Sequence, residues 1–184
     1  ITFKPVEGEA AFYGPKMDLM VEDSIGREWQ ISTIQLDFNM PARFGLEYTD
    51  EQGKKQTPVM VHRAFIGSTQ RFIGLLLEHY AGALPFWLTP VQVAILNIND
   101  ELKPYAAETA RELKKQNIRV TVDARNESIG KKIREGEMQK IPYLLIIGEK
   151  EKASGTVSVR ERGAGDKGQI KINDFMEICK KLSR

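Results

Sequence analysis

The apolar residues of this 184-residue chain change their spacing at "LPFWLTP", residues 84 to 90, and that change restricts the folds open to it. Before it, "KMDLMVED", "EWQISTIQLDF", "LEYTD" and "TPVMVHRAF" are β-rich runs parted by the turn signals "SIGR" and "DEQGKK". That texture predicts an antiparallel sheet closed by one long helix over about 68–83. After it, the strand-like runs "VQVAILNI", "IRVTVD", "PYLLIIG" and "TVSVRER" alternate with the helical runs "ELKPYAAETARELKKQ" and "SIGKKIREGEMQK", and "INDFMEICKKLSR" closes the chain as a helix. Such alternation predicts a compact α/β domain with a mixed, mostly parallel sheet flanked by helices. "VQVAILNI" and "YLLIIG" are nearly continuous apolar runs, as expected of central strands covered on both faces. The fold class expected is therefore α/β (α+β), in two domains, 1–85 and 86–184.

Composition narrows the function classes. With 41% hydrophobic and 28% charged residues the chain has an ordinary globular balance. No apolar run approaches the roughly 20 residues of a transmembrane helix, so no membrane role is expected. The single cysteine, Cys179, excludes an internal disulfide and points to a reducing compartment, with cytoplasm the default. The start "ITFKPVEGEA" lacks both an initiating Met and an apolar signal segment, and the expectation is a chain that begins inside a longer gene product. Residues 1–85 carry 8 Lys+Arg and 11 Asp+Glu, a net of −3, whereas 86–184 carry 19 and 14, a net of +5. A basic second half suits an acidic partner such as nucleic acid, or is simply a solvated surface.

The stretch "PVMVHRAFIGSTQRFIGLLLEHY", residues 58 to 80, concentrates the chemistry. It reads as a strand, a polar loop and a helix with Ser68 as N-cap. Arg71 then falls in the first helical turn, where the macrodipole disfavours a cation. Either a carboxylate such as Glu47 or Asp37 offsets it, or a bound phosphate does. His62 lies on the strand between Met60 and Ala64; from spacing alone it is an ordinary core or edge histidine, because zinc takes three or four ligands and no Cys/His cluster is present. No Ser/His/Asp arrangement, phosphate-binding glycine loop or CxxC pair occurs.

Four blocks, "GEAAFYGPKMDL", "WQISTIQLDFNMPARF", "VMVHRAFIGSTQRFIGLLLEHYAGALPFWLTPVQVAI" and "DARNESIGKKIREGEMQKIPYLLIIGEKE", resemble in order and spacing the C-terminal part of the bacterial-type threonyl-tRNA synthetases, a family of class II aminoacyl-tRNA synthetases. The resemblance covers essentially the whole chain. It implies that residues 1–85 are the last portion of the catalytic antiparallel sheet, ending in motif 3, and that 86–184 are an anticodon-binding domain. The implied reaction is ATP-dependent activation of threonine to threonyl-adenylate, with Mg²⁺ accompanying ATP, and transfer to tRNA(Thr) by a homodimer.

Roles follow the matching positions. The resemblance gives Arg71 a contact to the ATP γ-phosphate, Lys16 a place near the α-phosphate and Gln30 one near the adenylate. Tyr13 and Gln35 would line the amino-acid pocket, with Ser68 beside it. His62 becomes one of three protein ligands of a Zn²⁺ that receives the amino and hydroxyl groups of threonine. Anticodon contacts map to Asn126, Arg134, Glu151 and Arg160, with Lys140 where an arginine is usual. A lysine keeps the charge but loses the planar fork. Lys131, Lys132 and Arg134 are otherwise a solvated helix face.

In the family pattern motifs 1 and 2, the other two zinc ligands and any editing domain lie upstream of Ile1, so this chain alone is expected to be inactive. "WQIS" departs from the usual "WQCG" at Ile31 and Ser32 and alters the fine shape of the pocket. The competing expectation is a synthetase-like accessory protein that binds nucleic acid without catalysis. Retention of Tyr13, Lys16, Gln35, His62 and Arg71 together argues for the enzyme.

Overall fold

The computed structural model describes residues 3–183. The chain divides into two compact units, Ile1–His79 and Tyr80–Arg184.

The first unit is built on a three-stranded antiparallel sheet in the order β1-β2-β5, from β1 (Lys16–Glu22), β2 (Glu28–Asp37) and β5 (Met60–Ala64). Asp23 organises the β1–β2 turn: its carboxylate accepts the backbone N–H of Ile25 and Arg27 at 3.1 and 2.9 Å and the indole N–H of Trp29 at 2.8 Å. Between β2 and β5 lie a single-turn helix, α1 (Met40–Arg43), and a short hairpin of β3 (Tyr48–Thr49) with β4 (Lys55–Gln56). The helix expected over 68–83 runs as α2 (Thr69–His79). It stops early because Ala81 and Gly82 adopt positive φ values of 47° and 75°, which no α-helix accommodates.

The second unit carries the buried core. Its five-stranded sheet has the order β10-β9-β8-β6-β7, from β6 (Val93–Asn97), β7 (Val120–Asp123), β8 (Tyr143–Ile147), β9 (Thr156–Glu161) and β10 (Gly165–Lys171). The sheet is mixed, but parallel pairing reaches only β7-β6-β8; β9 and β10 pair antiparallel beyond it. Helices α3 (Lys103–Lys115) and α6 (Ile172–Leu182) bury Ala106, Leu113, Phe175 and Cys179 against Val93, Ile95 and Leu145. The alternate residues Ala94, Leu96 and Leu144 face α4 (Ile129–Met138), which packs Ile129 and Ile133 on them. The apolar run of β6 is thus covered on both faces, as parallel central strands require. Gly136 sets the closeness of α4: a Cβ there would meet Leu144 Cδ2 at 2.7 Å. Two elements had no sequence signal, the short helix α5 (Glu149–Ser154), which is mostly charged, and the edge strand β10, which contains two glycines.

Candidate functional site

Strand register gathers the polar candidates of the first unit. Lys16 on β1 pairs with Gln35 on β2, and Gln35 pairs with His62 on β5, so the three stand in one row across one face of the sheet. Asp18 and Asp37 extend that face, two residues along from Lys16 and Gln35. A bulge between Leu19 and Met20 pairs Met20 with Gln30 and skips Ile31. The phase of β2 shifts there, and Gln30 joins the same face, where its amide donates to Asp18 Oδ1 at 2.7 Å. The Lys16 ammonium donates to the other oxygen of Asp18 at 2.8 Å. Burial, the largest single influence, pushes the Asp18 carboxyl up, but the Lys16 and Thr33 hydrogen bonds and the Lys16 charge together hold the group below its ordinary value. The same hydrogen bond raises Lys16.

Tyr13 reaches the row from the preceding loop. Its backbone carbonyl accepts Phe38 N–H at 3.0 Å and that of Pro15 accepts Leu36 N–H at 3.0 Å, which lays residues 13–15 alongside the end of β2. Gly14 permits this approach, since a Cβ on it would meet the Leu36 carbonyl oxygen at 2.2 Å. The Tyr13 hydroxyl then donates to Gln35 Oε1 at 2.6 Å, and its ring stands edge-on to His62 at 5.9 Å between centroids.

His62 Nε2 lies 2.9 Å from Oδ2 of Asp37, whose Oδ1 accepts the N–H of Asn39 and Met40, each at 2.9 Å. Burial pushes the Asp37 carboxyl up, yet the Met40 N–H, the His62 ring and the Asn39 N–H together bring it below the ordinary carboxylate value. Asp37 thereby fixes the ring and leaves Nδ1 as the nitrogen open to a metal, the arrangement that orients metal-ligating histidines. Among the described residues no group of three or more His, Cys, Asp or Glu side chains is gathered to hold a metal. His62 therefore fits one ligand of a zinc site rather than a whole one.

Ser68 and Arg71 stand apart from the row, at the start of α2. Ser68 Oγ accepts Arg71 N–H at 3.4 Å, an N-cap contact. The Arg71 guanidinium lies 5.4 Å from the Trp29 ring centroid, and among the described residues it forms no ion pair with a carboxylate. Of the carboxylates expected to offset it, Asp37 serves His62 and the α1 start instead.

The second-unit candidates divide. Asn126 is exposed in the loop before α4, and Arg134 is exposed on α4 with no ion pair among the described residues. Arg160, half-buried on β9, donates to Glu137 at 3.2 Å beside a cleft of about 320 Å³. Lys140 directs its ammonium at the Ala81 carbonyl from a backbone with φ of 57°. Glu151 is buried: it accepts Gly148 N–H at 2.9 Å, capping α5, and binds the Gln169 amide. Lys132 corrects the expectation of a solvated helix face, being only 1% exposed, with its ammonium donating to the Asn97 and Asp123 carbonyls at 2.9 and 3.0 Å. Lys131, by contrast, is exposed and paired with Glu127 at 2.6 Å.

Of the two carboxylates that organise the row, sequence reasoning missed Asp18 and named Asp37 only as a partner for Arg71, not for His62. Their signal was alternation, since each sits two residues from a candidate on its own strand.

Residues 3–80 match the family "tRNA synthetase class II core domain (G, H, P, S and T)", and residues 92–182 match the "Anticodon binding domain" family. The chain is 55% identical over 175 residues to the threonine–tRNA ligase of Phocaeicola vulgatus and 57% identical over 171 residues to that of Parabacteroides distasonis. The chain belongs to the threonine–tRNA ligase family of class II synthetases. These matches cover 95% and 93% of this chain but 27% and 26% of the relatives, so it spans about a quarter of the length of its threonine–tRNA ligase relatives. Its structure is similar to the RNA binding domain of threonyl-tRNA synthetase from Cryptosporidium parvum Iowa II, with a TM-score of 0.86 at 38% identity, covering 95% of this chain and 44% of that one.

Proposed function

We propose that the chain supplies the amino-acid pocket, the ATP-phosphate arginine and the anticodon reader of an enzyme that forms threonyl-adenylate and charges tRNA(Thr). The observation that carries this reading is the shared row of Lys16, Gln35 and His62, with Tyr13 bonded to Gln35, in a chain more than half identical to threonine–tRNA ligases. Tyr13 and Gln35 line the threonine site, and Lys16 neutralises the α-phosphate during attack by the carboxylate, with Gln30 beside the adenylate. Arg71, a cation at a helix start, neutralises the γ-phosphate. Ser68 flanks the pocket. His62 serves as one ligand of a Zn²⁺ completed by residues outside this chain; that ion, when bound, gives the threonine amino and hydroxyl groups a Lewis acid that valine, with a methyl for the hydroxyl, cannot engage. Mg²⁺ enters with ATP.

Asn126, Arg134, Lys140, Glu151 and Arg160 form the anticodon-reading set in this proposal. Exposed Arg134 and Asn126 suit direct contact with unstacked bases and phosphates. Glu151, buried in the α5 cap, contributes through the loop it holds, and Lys140 reaches tRNA only by releasing Ala81. The enzyme acts as a homodimer in the cytoplasm; its single cysteine, buried in the second unit, suits a reducing compartment.

The test is charging of tRNA(Thr) by a polypeptide of the relatives' full length that carries this chain. Threonine should be attached and valine rejected by at least about 100-fold. A folded protein that binds tRNA but activates no amino acid would instead be the accessory type.

A further inference from the structure

The segment between α2 and β6 contains no helix or strand, yet its carbonyls are taken one after another by side chains of the second unit. Lys140 binds the Ala81 carbonyl. Arg162 Nη2 donates to Ala83 and Leu84 at 3.2 and 2.8 Å. Gln92 takes Phe86 at 3.0 Å, and Arg119 takes Trp87 and Thr89 at 2.7 and 2.9 Å. Phe86 is buried and its ring lies 5.9 Å from that of Tyr143.

We propose that Arg162 is a positioning residue for transfer to tRNA, acting by fixing this connector to the strand that carries the anticodon candidate Arg160. Arg162 directly follows β9, two residues after Arg160, and its own N–H donates to Pro142 at 2.9 Å. Its Nη1 donates to the Lys140 carbonyl at 2.7 Å while Nη2 reaches the connector. One planar fork therefore ties three carbonyls from two distant parts of the chain, which a lysine cannot span. None of these partners is a carboxylate; the guanidinium donors are held by backbone carbonyls.

The inference rests on the proposed function in one respect. When the anticodon is held by the second unit, the tRNA 3′ end must still meet the adenylate, and the connector is the covalent route between the two tasks. A loosened connector leaves adenylate formation intact and degrades the geometry of transfer, where a displacement of about 1 Å costs on the order of 100-fold.

The experiment uses Arg162→Ala and Arg162→Lys. Amide hydrogen exchange in the 184-residue chain reads the clamp through Ala83, Leu88 and Thr89, whose N–H groups bond Tyr80 and Pro85 carbonyls. Kinetics of the full-length protein read its consequence. Both variants should exchange these amides about 10-fold faster or more, lower kcat/KM for tRNA charging by about 10-fold, and keep threonine-dependent ATP–pyrophosphate exchange within about twofold of wild type. Unchanged amide exchange would overturn the clamp. Faster amide exchange with normal charging would overturn the positioning role, and so would an equal loss of both reactions alongside a lowered Tm, which marks a structural role only. Full activity of Arg162→Lys would show that the fork is not what acts. If the wild-type protein activates no threonine, the proposed function fails while the amide result still decides the clamp.

Discussion

The Nε2 of His62 sits 2.9 Å from Oδ2 of Asp37, a carboxylate only 1% exposed whose other oxygen caps the turn into α1. A histidine on an exposed strand face is thereby aimed by a buried group that is itself fixed by backbone.

That relationship predicts a metal effect without loss of a ligand. In the full-length protein, Asp37→Asn should weaken zinc binding by about 10- to 100-fold, measured by competition with a chelator, while His62→Ala abolishes stoichiometric binding. Unchanged affinity in Asp37→Asn would mean that the pair is only structural.

Lys132 should behave as a core residue and not as an RNA contact. Lys132→Met removes the donor to the Asn97 and Asp123 carbonyls and leaves both buried, which should lower the unfolding free energy by about 2 to 4 kcal/mol in urea titration. Affinity of the folded variant for tRNA should stay within about twofold of wild type.

Acid should weaken the second unit through Asp123. The Arg125 hydrogen bonds, at 2.8 and 2.6 Å, hold the Asp123 carboxyl below its ordinary 3.8 despite partial burial. A carboxylate depressed in the folded state contributes stability that is present above 3.8 and lost as pH falls through its lower folded value. Urea midpoints measured from neutral pH to about pH 2.5 should fall less steeply in Asp123→Asn than in wild type. Equal slopes would remove Asp123 from the account.

Much of this was legible in the sequence because it depends on local spacing. The β-rich runs parted by turn signals gave the main β-strands of the first unit, and the continuous runs of β6 and β8 announced strands covered on both faces. What escaped depends on pairing across distance. Gln30 appears out of phase with Gln35 until the bulge at Leu19 and Met20 is known, and Asp37 meets His62 only through the register of β2 with β5. Lys132 was misread by charge although the helix spacing held the answer: Ile129, Lys132, Ile133 and Gly136 recur on one helical face, the face that packs on the sheet. Residues 149–154 and 165–171 escaped for another reason, since charged and glycine-rich stretches form a helix or an edge strand only when neighbouring strands and the Glu151 cap hold them.

The central claim, that this chain belongs to an enzyme that activates threonine, is tested most directly by threonine-dependent ATP–pyrophosphate exchange in the full-length wild-type protein and its Arg71→Ala variant, with thermal unfolding measured on both. Among the described residues the Arg71 guanidinium meets only the half-buried Trp29 ring, at 5.4 Å, a contact worth about 0.5 to 1 kcal/mol, so the variant should keep a near-normal Tm. A charge-assisted phosphate contact of about 1.5 to 3 kcal/mol predicts exchange slowed by roughly 10- to 150-fold, and more where the contact strengthens in the transition state. Normal exchange in folded Arg71→Ala, or no exchange with threonine in the wild type, would contradict the account.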